Sequence, residues 1–286
     1  MLQPVEVHDH VNPVLLRQDV GRRLRAAREE VDLTVTDVAT HLELAASTVS
    51  RIETGRTPVS TTVLQAMMQL YKLDDEELPD LVRRARKPGW WRQYSISDHD
   101  FIALESGASR LNTYQPDLIH GLLQTADYAR ALFRAGMQTR TKQWTDKQLD
   151  VRMIRQERLA DEDYPLELEV VIGEVALYRP IGGREVMRTQ LRHLALITEL
   201  PTVAVRILPT SVVSSPAMYG SFVILDFPTI QPSMVYVEHA IGTERTEKEE
   251  RVGKTRLRYN HLRSLALNLK ESVALIERVA DTMWAE

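Results

Sequence analysis

Apolar residues recur at helical spacing through the first third of the chain. Leu15, Leu16, Val20, Leu24 and Ala27 mark one face of a helix, and Arg17, Arg22, Arg23, Arg25 and Arg28 fill its other faces. Val31-Asp32-Leu33 ends that helix. Thr34 followed by Asp37 has the pattern of a capping box with Asp in place of Glu, and it predicts a short helix to His41 or Leu42. The next helix spans about Ala46 to Thr54, with Gly55 suited to a left-handed stop. Ser60 can cap a fourth helix ending near Leu70, and the carboxylates from Asp74 to Glu77 suit the dipole at the start of a fifth, which runs to about Arg86. Pro88-Gly89 closes the segment. Residues 1–13, polar and holding Pro4 and Pro13, read as a flexible arm.

Past Trp90-Trp91 the pattern changes. Residues 101–160 still favour helices, after which β-rich runs predict strands at Leu166 to Ile172, Val203 to Leu208, Gly220 to Phe227 and Met234 to His239. A helix from about Glu185 to Leu200 separates the first two and suits a crossover, whereas the last two suit a hairpin. Val252 to Trp284 reads as one or two helices. The expected fold is a multidomain α+β chain. It has the arm at 1–13, an all-α five-helix domain at 14–88, and a mixed α/β domain at 89–286 with a small sheet and flanking helices.

Composition narrows the function. A length of 286 residues suits about two domains, and 43% hydrophobic with 27% charged residues excludes wholesale disorder. Cysteine is absent, which removes disulfides, thiolate metal sites and cysteine nucleophiles. The apolar runs fall well short of the roughly 20 residues of a membrane span. The start carries Glu6 and Asp9 and has no apolar run behind a cationic end, so a cytoplasmic protein is expected. With a net charge of −4, contact with nucleic acid must come from a local patch.

Leu33 to Gly55 carries that patch. Val38, Ala39, Leu42, Leu44, Val49 and Ile52 would form one interior between two short helices, leaving Ser47, Thr48 and Arg51 on an outer face. Short hydrogen-bonding side chains beside one planar, bidentate donor suit base edges in a major groove. The residues Leu33-Thr34, Asp37-Val38-Ala39, Leu42, Leu44, Ser47 to Glu53, Gly55-Arg56 and Pro58 resemble the Cro/repressor-type helix-turn-helix. The pattern departs at Val35, where Gln is usual, and at Ala45, where a Ser cap is usual. The resemblance implies base contacts from Ser47, Thr48 and Arg51 and phosphate contacts from Thr36, Arg56 and Thr57. Arg22, Arg23 and Arg28 would share a side with Arg51 and Arg56. A single recognition helix reads few base pairs, so a homodimer on a palindrome of double-stranded DNA is expected.

The larger domain resembles the uncharacterised C-terminal domain of actinobacterial antitoxin-like helix-turn-helix regulators. The residues that carry the likeness include Gly89-Trp90-Trp91, Tyr114, Pro116, Gly121 to Thr125, Asp127 to Arg130, Gly182-Gly183 and Tyr236. It implies transcriptional control modified by a small protein encoded nearby or by a ligand. Arg110, Tyr114 and Gln124 are candidate ligand-pocket residues, and Arg152, Arg155 and Arg158 at three-residue spacing are a candidate face for an acidic partner. Glu238, in the apolar run from Val235, is with Glu105 and Glu174 a candidate buried acid. The expected reading is a regulator and not an enzyme, with no cofactor and no metal: His8-Asp9-His10 and Asp98-His99-Asp100 read as solvated loops. The rival is an antitoxin-like adaptor that binds a small partner, with DNA contact secondary.

Overall fold

A computed structural model describes residues 12–94, 99–136, 141–213, 215–228 and 232–285. The arm through residue 11, His8-Asp9-His10 and the side chains of Asp98-His99-Asp100 lie outside the described residues. Contacts group the chain into two compact units, Met1–Gly107 and Ala108–Glu286.

The first unit holds α1 (Pro13–Glu30), α2 (Val35–His41), α3 (Ala46–Glu53), α4 (Thr61–Tyr71) and α5 (Leu78–Ala85), followed by a 3-10 turn (Trp90–Tyr94) and α6 (His99–Gly107). Asn12 and Pro13, read above as the end of the arm, instead start α1. The Asn12 carboxamide oxygen accepts from the Val14 and Leu15 amides at 2.9 and 3.2 Å. Its amide nitrogen donates to Ser106 at 3.0 Å, which ties α6 to α1. The capping box of α2 forms as expected, with Thr34 and Asp37 each accepting the other's backbone N–H. Val20, Leu24, Val38, Ala39, Val49, Ile52, Leu64 and Met67 share one core, against which Leu42 and Leu44 pack half-buried. Gly21 permits the closest crossing. A Cβ there would lie 2.6 Å from the backbone oxygens of Ile52 and Glu53, so α1 rests directly on the end of α3.

The second unit is built on one six-stranded sheet of order β3-β2-β1-β4-β5-β6, made of β1 (Arg110–Gln115), β2 (Glu167–Gly173), β3 (Val203–Leu208), β4 (Phe222–Asp226), β5 (Met234–His239) and β6 (Gly242–Thr246). The β1–β2 and β2–β3 pairs are parallel, and the β1–β4, β4–β5 and β5–β6 pairs antiparallel. α7 (Ala126–Ala135) and α8 (Lys142–Glu157) connect β1 to β2, and α9 (Arg184–Ile197) connects β2 to β3. α10 (Glu249–Leu265) supplies Val252, Tyr259 and Leu262 to the core formed with Tyr114, Val171, Phe222 and Ile224, while α11 (Leu269–Thr282) packs on α9 and β3.

The expected crossover and hairpin are present, but two strands escaped the pattern. β1 lies in a stretch that reads as helical. It is nonetheless central, and its buried polar residues are absorbed by the sheet: the Thr113 hydroxyl donates to the Phe222 carbonyl at 2.9 Å. β6, Gly-Thr-Glu-Arg-Thr, is a polar edge strand with no apolar alternation to reveal it.

Candidate nucleic-acid interface

The turn between α2 and α3 is made without glycine, Glu43 taking a left-handed conformation at φ 52°. α3 then buries Val49, Ile52 and Glu53 and turns Ser47, Ser50 and Arg51 to solvent, with Thr48 half-buried beside them. Its first turn lacks a side-chain cap because residue 45 is Ala. The amides of Thr48 and Val49 bond the Ala45 carbonyl, while those of Ala46 and Ser47 are left to solvent or to an anion.

A buried ion pair orients this helix. Arg28 Nε donates to Glu53 Oε1 at 2.7 Å, Nη2 donates to Oε2 at 3.0 Å, and Nη1 donates to the Leu33 carbonyl at 2.6 Å. One guanidinium therefore joins the end of α1, the end of α3 and the loop that leads into α2. The Glu53 hydrogen bond raises Arg28 above its ordinary value. Burial, followed by the Glu53 charge, pushes the Tyr71 phenol up. This corrects the expectation that Arg28 shares the outer face with Arg51 and Arg56: it is an interior strut. Arg22 and Arg23 are held by Asp19 and, for Arg23, also by Asp75 and Glu77.

Among the candidate phosphate contacts, Thr36 and Arg56 are exposed. Gly55, at φ 67°, ends α3 and lets the Arg56 and Thr57 amides return to the Arg51 carbonyl at 2.9 and 3.1 Å. The Thr57 hydroxyl is buried without a protein partner beside a small cavity of 10 Å³ lined by Arg17, Val20 and Val82, so this side chain faces inward. Arg86 was not singled out from the sequence. Its guanidinium donates to Thr61 at 2.9 Å and sets a cation at the start of α4, where the Ser60-Thr61 pair was the available signal.

The candidate residues of the second unit do not form one site, although Gln124 and Arg152 meet. Arg110 pairs with Glu167 at the start of β1. Tyr114, at its far end, is buried, raised by that burial, and donates to the Ala217 carbonyl at 3.1 Å. Gln124 donates to the Ile119 carbonyl at 2.6 Å and accepts from Arg152, whose guanidinium also lies 4.6 Å from the centre of the Phe133 ring. Nearby, Gln190 accepts from the Thr125 amide and donates to the Leu123 carbonyl, both at 2.7 Å. The polar motif from His120 to Thr125 is thus a braced loop. Arg158 breaks the expected cationic stripe: it is buried, donates to the Ala108 carbonyl at 2.9 Å and stacks 4.4 Å from the centre of Tyr164. Arg155 stays half-buried on α8.

The three candidate acids belong to different elements. Glu105 is buried in α6, and Glu174 accepts from Thr210 and Tyr178 beyond β2. Glu238 is exposed near the end of β5, where burial falls away along the strand: Met234 to Tyr236 are buried, Val237 is half-buried, and Glu238 and His239 are exposed. No group of three or more His, Asp or Glu suited to a metal occurs among the described residues. No described helix is long and apolar enough to cross a membrane.

The chain matches the family model of a helix-turn-helix domain over residues 19–81 and that of a domain of unknown function, DUF5753, over residues 98–278. No curated protein and no solved structure matches it.

Proposed function

The chain belongs to the DUF5753 family and, with its helix-turn-helix domain, is a DNA-binding regulator; from that premise we propose that it controls transcription by sequence-specific occupancy of a promoter as a homodimer. In this reading it is a cytoplasmic regulator of the antitoxin-like kind. Its C-terminal domain responds to a small protein partner or ligand and performs no catalysis. The observation that supports base reading is the division of α3, whose inner face is locked by Val49, Ile52 and the Arg28–Glu53 pair while Ser47 and Arg51 face solvent. A rigid inner face spares a reading face much of the ordering cost of binding. Arg51 takes the role of bidentate donor to guanine, with Ser47 and Thr48 beside it, and Thr36 and Arg56 hold phosphates.

The test is fluorescence anisotropy on duplex DNA from upstream of the protein's own gene, titrated with salt. Binding by the intact chain should weaken steeply as salt rises, and Arg51→Ala should lose about 1–3 kcal/mol while the fold keeps its melting temperature. Failure to bind this duplex, or any duplex selected from random sequence, would favour the adaptor reading, in which partner capture is the main task.

A further inference from the structure

Arg152 and Arg158 are spent on internal bonds, and the second unit carries another row of arginines. Arg184, Arg188 and Arg192 recur every four residues on α9, so they line one helix face over about 12 Å. With Glu185, Thr189 and Trp284 they line an open groove of about 510 Å³. Arg184 and Arg192 are exposed and Arg188 is half-buried between them. Trp284 is buried and fixed, its indole N–H donating to the Leu177 carbonyl at 2.8 Å. Arg184 donates to the Ala285 carbonyl at 2.6 Å, and Arg192 donates to Asp281 at 3.0 Å in a pair exposed on both sides. Leu196, one turn beyond Arg192, is 62% exposed, and Met283, beside Trp284, is 49% exposed.

We propose that this groove docks an acidic, amphipathic segment of a partner protein. Three guanidiniums against two carboxylates, Glu185 on the lining and Asp281 paired with Arg192, leave a local cationic excess on a chain of net charge −4, and a planar fork suits bidentate carboxylates. Leu196, on the same face of α9 as Arg192, offers apolar contact beyond the arginines, which a protein segment uses and a sugar-phosphate backbone does not. Arg192 already donates to a carboxylate there, that of Asp281. Arginine and tryptophan are also the residue types that dominate binding energy at protein interfaces. The inference deepens the partner-response reading and rests on it.

The experiment uses the full chain and a fluorescent peptide that repeats Glu and Leu at helical spacing, with a Gln-for-Glu counterpart and single-stranded oligothymidylate as rivals. The expected result is saturable, salt-sensitive binding of the acidic peptide, weakened at least about tenfold in the Gln peptide and in the Arg184→Ser/Arg188→Ser/Arg192→Ser variant. Arg184→Ser/Arg192→Ser changes only the two exposed arginines and should show the same loss in part, which guards against misfolding of the triple variant. Affinity of both variants for duplex DNA should remain that of the parent, so failure of the groove is distinguishable from failure of the DNA reading. No binding of the acidic peptide, equal binding by the variants, or preference for the oligothymidylate would each overturn the proposal.

Discussion

α3 and the loop from His120 to Thr125 are both dense in polar signature residues, and they spend them in opposite ways. On α3 the short polar residues and Arg51 remain outside while a single buried pair, Arg28–Glu53, carries the internal load. In the loop, Gln124, Arg152, Gln156 and Gln190 satisfy backbone groups of the loop or one another. The difference is one of supply and demand. A helix satisfies its own backbone and frees its side chains, whereas a connecting segment with only the single 3-10 turn Gly121–Leu123, packed against α8 and α9, must borrow side chains to satisfy its N–H and C=O groups. A polar motif is therefore a recognition surface only when its local backbone does not need it.

The largest test of this contrast removes the strut. Arg28→Ala leaves the Glu53 carboxylate buried and uncompensated, and should cost about 3–5 kcal/mol in urea unfolding of the N-terminal unit. Arg28→Met with Glu53→Leu should recover most of that loss, since no buried charge remains. Next comes the brace. Gln190→Leu strands the Thr125 amide and Leu123 carbonyl and should destabilise the C-terminal unit by about 1–3 kcal/mol, with DNA affinity unchanged by anisotropy.

Asp226 gives a smaller, pH-dependent effect. Burial acts to raise its carboxyl, but hydrogen bonds from Arg256 and Ser233 outweigh it and hold the group below its ordinary value. A depressed carboxylate contributes stability above the unfolded-state value and loses it as pH falls through the folded one. Asp226→Asn should then cost about 1 kcal/mol at neutral pH, after allowance for screening, and the gap from the parent should close below about pH 4. The smallest effect is a gain. Ala45→Ser supplies the missing cap of α3 and should add about 0.5–1 kcal/mol, read as a rise in melting temperature.

Much of the first unit was legible because its signals are local. Capping at Thr34 and Asp37, the stop at Gly55 and the spacing of Val38, Ala39, Val49 and Ile52 each depend on neighbours within a turn or two. The second unit was legible where alternation and apolar runs marked β2 to β5, and opaque where they did not. Nothing local shows that Arg-Leu-Asn-Thr-Tyr-Gln is the strand between β2 and β4, because its polar groups are satisfied by partners distant in sequence.

The same division holds for the arginines. Sequence alone determined the helical register, and so which arginines share a helix face: Arg152 with Arg155, and Arg184 with Arg188 and Arg192. Tertiary structure decided which of them meet solvent. Arg28 and Arg158 are buried because residues 25 positions away in one case and 50 in the other arrive to accept their hydrogen bonds. A guanidinium's fate depends on whether the fold brings it an acceptor strong enough to repay desolvation, and that acceptor is set by long-range packing, which the helical pattern does not encode.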